Sequence, residues 1–382
     1  MESGGRTLNI VDLFCGCGGL SLGAHYAGFN TALAVDVDND LRSAYRRNFG
    51  VGNAEKLDLA KTKAATLKRK SGPERPVGVI GGPPCQGFSV MGRSIDDDPR
   101  NNLAVRFIEL TAALGPKFFV MENVPGILAP RHKSTVDAVL SSIPDHYEVL
   151  GPIKLNAADF GAATSRERVL IVGFNPSEMD ALSVADFDRV KLPSTSVREA
   201  IHDLPSPSAG VRKDGGYDWV KYTTEPKSAY ARKMRTPPPR GYLPEYARQL
   251  FAKGYVTGLQ PTEHTAKTIE RFSETLPGKQ ESVSRYQRLS WEGIAPTLRA
   301  GTGSDKGSYQ AARPIHPREP RVISIREAAR LQGFPDWFLF HPTKWHSHRM
   351  IGNSVSPIFS EAIFSVIASK LDSKNALPLA AE

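Results

Sequence analysis

A cysteine and a glutamate stand at equivalent points of two successive apolar runs. Cys85 lies in GGPPCQGFS, directly after VGVIGG, and Glu122 closes the next run, in KFFVMENVPG. Such runs predict buried strands, and open α/β sheets place their sites at the carboxyl ends of strands. A lone cysteine is more often a small buried hydrophobe. A thiol beside a carboxyl group, however, suits nucleophilic addition with acid assistance.

A glycine-rich turn precedes this pair. VDLFCGCGGLSLG joins a predicted strand to a predicted helix, and glycines there let the backbone approach a ligand closely. The next strand ends at Asp36, whose carboxylate can accept from both ribose hydroxyls of an adenosine, and Asp58 could accept from an adenine amino group. Each aspartate alone is more often a solvated residue, and a dinucleotide site is the competing interpretation. The ordered series favours an adenosine ligand.

Six segments, in this order, resemble the motifs of the cytosine-5 DNA methyltransferase family. They are DLFCGCGG, PPCQGFS, MENVPG, SRERVLIVG, RLSWEGIAPTL and RMIGNSVSP, and the resemblance covers nearly the whole chain. It implies a bacterial type of enzyme, either part of a restriction-modification system or an orphan. Such an enzyme transfers a methyl group from S-adenosylmethionine to C5 of cytosine in a specific duplex sequence, releases S-adenosylhomocysteine and needs no metal.

The roles implied by this resemblance follow position by position. Cys85 would attack C6 of cytosine, Glu122 would contact N3 and the exocyclic amine, and Arg166 and Arg168 would hold the target nucleotide. The residues around S-adenosylmethionine would be Phe14, Gly16, Cys17, Gly18, Gly19, Asp36, Val37, Asp58, Leu59, Pro84, Leu103, Asn353 and Val355.

The chemistry explains these residue types. C5 of cytosine is a poor nucleophile until a thiolate adds at C6, and Glu122 would stabilise the charge that then develops on the ring. Because C5 and C6 are stacked inside a duplex, the base must flip out. The irregular segment QGFSVMGRSIDDDPRNN would close over it.

The sequence departs from the family pattern at three positions. Asp36 replaces a glutamate, so the ribose contact would need a small backbone shift. Thr164 replaces a glutamine, which puts one local hydrogen bond in doubt, and Ser356 stands where proline is usual. None of the three makes or breaks a covalent bond.

The elements that must position these residues alternate along the chain. LNIVDLF, TALAVDV, VGVIGG, KFFVMENV and RVLIVGF predict strands, with helices over Asp40–Asn48 and Asn102–Leu114. Alternation of this kind predicts an α/β fold with a doubly wound, mainly parallel sheet of the Rossmann-like methyltransferase type. Ser324 and Glu327 have the spacing of a helix capping box, and SPIFSEAIFSVIASKL predicts a C-terminal helix.

The alternation stops in the middle of the chain, which predicts a second, smaller, irregular DNA-recognition domain. The expected division is a catalytic domain over 1–176, target recognition over 177–318, a hinge region over 319–349 and a segment over 350–382 that returns to the catalytic domain. The formal net charge is +9, and Arg189–Lys253 holds 13 basic against 6 acidic residues. Tyrosines and Trp219 are interleaved there, which suits phosphate and base contacts. A solvated, proline-rich linker is the alternative.

The remaining features bound the function. No secretory signal or run of about 18 apolar residues is present, and three cysteines form no disulfide framework. We therefore expect a cytoplasmic, nucleoid-associated monomer that binds double-stranded DNA, with a cognate restriction endonuclease as a conceivable partner. His341, His346 and His348 form either a metal site or, as favoured, a polar hinge loop. Cys15 and Cys17 are expected to pack the cofactor turn.

Two other functions compete with this one. An RNA methyltransferase would use the same chemistry, but its signature in the recognition region is not found. A catalytically dead regulatory relative would lack the cysteine or the carboxylate, and both are present. The enzyme acting on DNA is favoured.

Overall fold

The computed structural model describes residues 7–50, 54–84, 102–207, 212–214, 216–300 and 313–373. The strands of the described chain are β1 Leu8–Leu13, β2 Phe29–Asp36, β3 Ala54–Lys56, β4 Gly78–Gly81, β5 Phe118–Asn123, β6 Glu148–Asn156, β7 Glu167–Phe174, β8 Arg212–Asp214, β9 Tyr217–Lys221 and β10 Tyr255–Thr257. Its α-helices are α1 Gly19–Tyr26, α2 Asn39–Phe49, α3 Ala64–Lys70, α4 Asn102–Leu114, α5 Lys133–Ser141, α6 Val184–Asp188, α7 Val197–Ile201, α8 Ala229–Met234, α9 Glu245–Ala252, α10 Ala266–Glu274, α11 Ile325–Gln332, α12 Lys344–Asn353 and α13 Pro357–Ser373.

The main sheet confirms the doubly wound, mainly parallel prediction. Its strand order is β3-β2-β1-β4-β5-β7-β6. Strands β1 to β5 pair in parallel, whereas β7 runs antiparallel to both of its neighbours. The five predicted strands are all present. The sequence interpretation missed β6, because Gly151 and Pro152 interrupt its apolar pattern.

The C-terminal helix packs against the first helix of the sheet. Ser360 of α13 donates its hydroxyl to the carbonyl of Leu20 in α1, at 2.6 Å. The buried face of α13 includes Phe359, Phe364 and Ile367, which belong to the apolar cluster under the sheet. Helix α13 therefore covers α1, the helix that follows the glycine turn near the beginning of the chain.

The middle of the chain is folded, so the linker interpretation was wrong. Strands β8, β9 and β10 form a second, antiparallel sheet against which α9 packs, whereas α6 packs against α13. Tyr217, Trp219 and Tyr230 are buried in an apolar cluster that also holds α11 residues and Leu22 of α1. These interleaved aromatics therefore build a core and are not available to stack on bases.

Helix α11 is the centre of this second core. It begins at Ser324 with the predicted capping box to Glu327. Arg330, fully buried, forms ion pairs with Asp203 and Asp336 at 2.9 and 2.6 Å. Its neighbour Arg326 donates to the backbone carbonyls of Thr257, Pro335 and Phe338. Two buried arginines thus join α7, β10 and the segment after α11.

The prediction of a polar hinge loop was wrong for the part of the segment that forms α12. Helix α12 begins at Lys344 and includes both His346 and His348. Ser347, His348, Met350 and Ile351 are buried on one face of this helix, at helical spacing, and this explains why the segment is not a loop.

One helical stretch, Lys344–Leu371, has the length and apolar composition of a possible membrane span. It is broken between α12 and α13, and 67% of its most apolar window is buried inside the protein. These features are those of a core helix pair.

Removing Arg330 tests the buried network. Arg330→Met would leave the Asp336 carboxylate buried without its cation, and we expect a loss of about 3–5 kcal/mol in the free energy of unfolding. Urea denaturation followed by circular dichroism measures it. Arg248→Met, which breaks only the exposed pair with Glu245, is the matched control and should leave stability unchanged. Equal effects of the two substitutions would contradict the importance of the buried network.

Candidate active site

Two strand ends bring the predicted catalytic segments together. β4 ends at Gly81 and leads through Gly82–Pro84 toward Cys85, which itself lies outside the described residues. The predicted closing loop over 86–102 also lies outside them, except for Asn102, which begins α4. β5 lies parallel to β4 and ends with Glu122 and Asn123. The amide of Asn123 donates to the carbonyl of Pro83 at 3.4 Å. The segment entering Cys85 is therefore tied to the end of β5.

The Glu122 carboxylate faces that same segment. A Cβ placed on Gly82 would lie 2.8 Å from Glu122 Oε2, so only glycine leaves room for the carboxylate there. Glu122 is 8% exposed. Its other oxygen, Oε1, forms an ion pair with Nε of Arg168, the second residue of β7, at 2.6 Å. The site thus holds a buried acid with a dedicated cation.

Arg166, by contrast, is held by backbone. Its guanidinium donates to the carbonyls of Leu298, at 3.0 Å, and Gly352, at 2.7 Å, and the residue is 1% exposed. The two arginines of SRERVLIVG therefore have different surroundings. Arg168 meets the acid, whereas Arg166 joins three distant parts of the chain.

Thr164, where the family pattern has glutamine, lies in a short ladder beside these arginines. Its hydroxyl donates to the carbonyl of Pro296 at 3.1 Å, and Ala295 bridges Thr164 in parallel. The Thr297 hydroxyl donates to the Ser165 carbonyl at 2.6 Å. Thr164 therefore makes a side-chain hydrogen bond of its own, to the backbone.

The glycine turn between β1 and α1 has an unusual backbone. Phe14, Gly16 and Gly18 all have positive φ, of 68°, 57° and 99°. Glycine takes such angles without penalty, whereas a bulky residue such as Phe14 does so rarely and mainly at functional turns. A Cβ on Gly16 would meet nothing within 4 Å, so the turn opens onto free space.

Asp36, at the end of β2, supports this turn. Its Oδ2 accepts from the Gly16 amide and its Oδ1 from the Asp38 amide, both at 2.9 Å. Burial raises the pKa of Asp36, against the lowering effect of these backbone hydrogen bonds. Each carboxylate oxygen has a second lone pair, so the group can still accept from ligand hydroxyls.

The predicted adenine side of the site has one exposed apolar residue. Val37 is 60% exposed directly after Asp36, so its side chain is accessible to a ligand. Asp58 is exposed and accepts from the Ala60 amide at 3.1 Å, and Leu59 is buried beside it. An open turn, an acid and an uncovered apolar side chain fit an adenosine, so the residues present suit the expected cofactor.

The C-terminal motif meets the glycine turn directly. A Cβ on Gly19 would lie 2.1 Å from Ser354 Oγ and 2.3 Å from the carbonyl oxygen of Val355. Asn353, at the end of α12, is exposed, and Val355 is 8% exposed. The structure thus brings the first and last motifs together, as the resemblance implied.

The two described cysteines pack the turn. Cys17 Sγ lies 3.7 Å from Ser354 Oγ, and burial raises the pKa of its thiol to about 12. Burial also raises the pKa of Cys15 well above its usual value. Both thiols stay protonated at neutral pH. Among the residues that the structure describes, no three His, Cys, Asp or Glu side chains group as metal ligands.

The sequence interpretation missed several residues that hold the site in position. Arg106 of α4 donates to the carbonyls of Leu59 and Thr62, at 3.3 and 2.7 Å, and so ties the helix that carries Leu103, which is partly buried, to the Asp58 loop. Asp38 caps α2 by accepting from the Asp40 and Leu41 amides. Acceptors that are backbone carbonyls leave no trace in residue types. The capping spacing at Asp38 could have been recognised.

Known structures show the same fold. A DNA modification methyltransferase encoded within a prophage of E. coli aligns with a TM-score of 0.83 and 36% identity, over 96% of this chain and 100% of that chain. The Dnmt2 methyltransferase of S. pombe aligns with a TM-score of 0.61 at 16% identity, over 96% and 99%, and shows the fold alone. Fold and site together define a methyltransferase with the Rossmann-like, S-adenosylmethionine-dependent architecture.

Proteins similar in amino-acid sequence identify the kind of methyltransferase more closely. The type II methyltransferase M.XorII of Xanthomonas oryzae pv. oryzae is 38% identical, over 96% of this chain and 86% of that protein. M.DdeI of Desulfomicrobium norvegicum is 32% identical, over 93% and 87%. Residues 8–369 match the family described as C-5 cytosine-specific DNA methylase. The chain belongs to this family and is a DNA (cytosine-5) methyltransferase.

A single methyl group at Gly82 tests the geometry of the acid. Gly82→Ala would push the Glu122 carboxylate from its place, and we expect the single-turnover methylation rate to fall roughly tenfold, equivalent to about 1.4 kcal/mol in the barrier. Cofactor affinity should not change. In the control Gly293→Ala, the new Cβ makes only ordinary contact with Ser290, at 3.6 Å. A Gly82→Ala enzyme with the wild-type rate would show that Glu122 tolerates displacement.

Proposed function

We propose that this enzyme methylates C5 of a flipped-out cytosine through a covalent bond between Cys85 and C6, assisted by Glu122. The observation that carries the proposal is the Glu122 carboxylate, buried between Gly82 and Arg168 at the strand edge from which the chain runs to Cys85. An acid in that position is placed to act beside the residue that follows Pro84.

The proposed reaction proceeds by addition, methyl transfer and elimination. The Cys85 thiolate adds to C6 while Glu122 donates a hydrogen bond or proton at N3, so that electron density moves to C5. S-adenosylmethionine supplies the methyl group and leaves as S-adenosylhomocysteine. The C5 proton then passes to water or hydroxide, and the thiolate is expelled as the C5–C6 double bond re-forms and any proton at N3 returns to Glu122.

Protein groups around the two substrates have separate tasks. Arg168 holds the Glu122 carboxylate in place and adds positive charge beside the target base. Arg166 fixes the backbone around that base through its two carbonyl contacts. Asp36 would accept from the ribose hydroxyls of the cofactor, and Val37 and Leu59 would flank its adenine.

The recognition of DNA is assigned to residues 177–318. This region carries most of the excess of basic over acidic residues. It is joined to the catalytic edge by the bridge between Thr164 and Ala295 and by Arg166. Phosphate contacts by its lysines and arginines would give affinity that falls steeply with salt, and a few side chains would read base edges. We propose that it acts on duplex DNA as a cytoplasmic monomer, with or without a cognate restriction endonuclease.

A mechanism-based trap tests the covalent step. Duplex DNA with 5-fluorocytosine at the target site should hold the enzyme covalently, because C5 then has no proton to lose. Denaturing gel electrophoresis detects the adduct. Cys85→Ser should abolish both adduct and turnover but leave DNA binding measurable, whereas Cys17→Ser should still form the adduct. A Cys85→Ser enzyme with near-normal methylation would refute the mechanism.

An exchange of the recognition region tests the division of labour. Replacing residues 174–287, which lie between SRERVLIVG and RLSWEGIAPTL, with those of a relative of different specificity should change the methylated sequence and preserve C5 chemistry, because no family motif lies in the exchanged segment. A methylome of cells that express the chimera reads out the target. An active chimera that keeps the parental site would place specificity in the catalytic half.

A further inference from the structure

A tyrosine of the proposed recognition region reaches the helix that follows the cofactor turn. The Tyr242 hydroxyl forms a hydrogen bond with Nδ1 of His25, in the last turn of α1. The next residue, Leu243, has a positive φ of 62° and donates its amide to the Asn48 carbonyl at 3.2 Å. This segment is therefore docked on α1 and α2 by side chain and backbone together.

The protonation of His25 follows from its contacts. Its Nε2 accepts from the Thr31 amide at 3.2 Å and lies 2.7 Å from the Thr31 hydroxyl. Burial lowers the pKa of His25 to about 4, so the ring is neutral near pH 7. With Nε2 as acceptor, the single proton must be on Nδ1, which donates to Tyr242. Without that hydroxyl, a buried N–H would lose this partner.

The same contacts continue to the strand before the turn. The Tyr45 hydroxyl hydrogen-bonds to Thr31 and to Ser21 Oγ, the latter at 3.0 Å. Ser21 in turn donates to Asp12, a fully buried residue of β1. Tyr242 is therefore the outer end of a continuous polar chain that reaches both sides of the glycine turn.

Aromatic side chains pack beside this series of hydrogen bonds. Phe49 stacks on Tyr45 at 4.3 Å between centroids, and its edge meets Tyr242 at 5.3 Å and His25 at 5.3 Å. A Cβ on Gly18 would lie 2.3 Å from the Phe49 ring. The floor of the cofactor turn is thus an aromatic ring that Tyr242 holds from the other side.

We propose that Tyr242 is a positioning residue for cofactor binding, supplied by the recognition region and acting through His25 and Phe49 on the turn at Gly18. The inference rests on the proposed use of S-adenosylmethionine at that turn. It makes cofactor affinity depend on a residue that lies outside the cofactor's expected contacts. A recognition region exchanged between relatives would therefore weaken cofactor binding where it does not supply this tyrosine.

The test measures binding in the full-length enzyme without DNA. Tyr242→Phe keeps the ring and removes the hydroxyl, and isothermal titration with S-adenosylmethionine should show a Kd raised about tenfold. The turnover rate at saturating cofactor and the Kd for duplex DNA should stay at wild-type values. Tyr255→Phe, on the partly buried β10 strand of the same region, is the matched control and should bind cofactor normally.

A double substitution separates positioning from general loosening. If Tyr242 acts through His25, His25→Gln combined with Tyr242→Phe should weaken binding no more than the stronger single change. Additive losses, an unchanged Kd in Tyr242→Phe, or an equal loss in Tyr255→Phe would each overturn the inference. A wild-type enzyme that binds no S-adenosylmethionine would instead contradict the proposed function itself.

Discussion

A carboxylate removed from water must have a cation or strong hydrogen bonds close by, and Glu122 meets this condition through Arg168. The direction of one strand makes the contact possible. Because β7 runs antiparallel to β5, its first residues reach the edge at which β4 and β5 end. A parallel strand in the same position would bring its last residues there instead. The reversed strand thus delivers an arginine to the acid and leaves the parallel part of the sheet undisturbed.

Segments far apart in the sequence are fixed at the same edge. Arg166, just before β7, holds the carbonyls of Leu298 and Gly352, which are 132 and 186 positions away along the chain. Gly19 lies against Ser354 on the neighbouring side. The proposed recognition region and the C-terminal segment are consequently packed against this edge. One apolar cluster contains residues of both segments. Because protein interiors are close-packed, a displacement of either segment would disturb the packing at the glycine turn and at Glu122.

The sequence located the ends of the strands correctly, but it gave little information about which side chains contact each other. Runs of β-branched residues located β1, β2, β4, β5 and β7, and the ends of β2 and β5 correctly placed Asp36 and Glu122 at one edge of the sheet. Short strands such as β8 and β10 have three residues each, too few to show a period.

Composition was the weaker guide. The aromatic residues of the basic stretch suggested a nucleic-acid surface, yet Trp219 and Tyr217 are core residues. The histidines of FHPTKWHSH suggested a loop, because their polarity hid the helical spacing of Ser347, Met350 and Ile351. In both places the tertiary environment, which residue type does not encode, decided the role.

The two arginines of SRERVLIVG show why a motif identifies residues before it explains them. Both were expected to hold the nucleotide, and in the structure both guanidinium groups meet protein atoms, a carboxylate for Arg168 and two separate carbonyls for Arg166. Lysine could replace neither without loss, since only a planar guanidinium directs several N–H groups along fixed, diverging lines. In the proposed reaction, Arg166 would therefore act by holding the backbone at Leu298 and Gly352. The position of the Glu122 carboxylate depends instead on Arg168, which pairs with it directly.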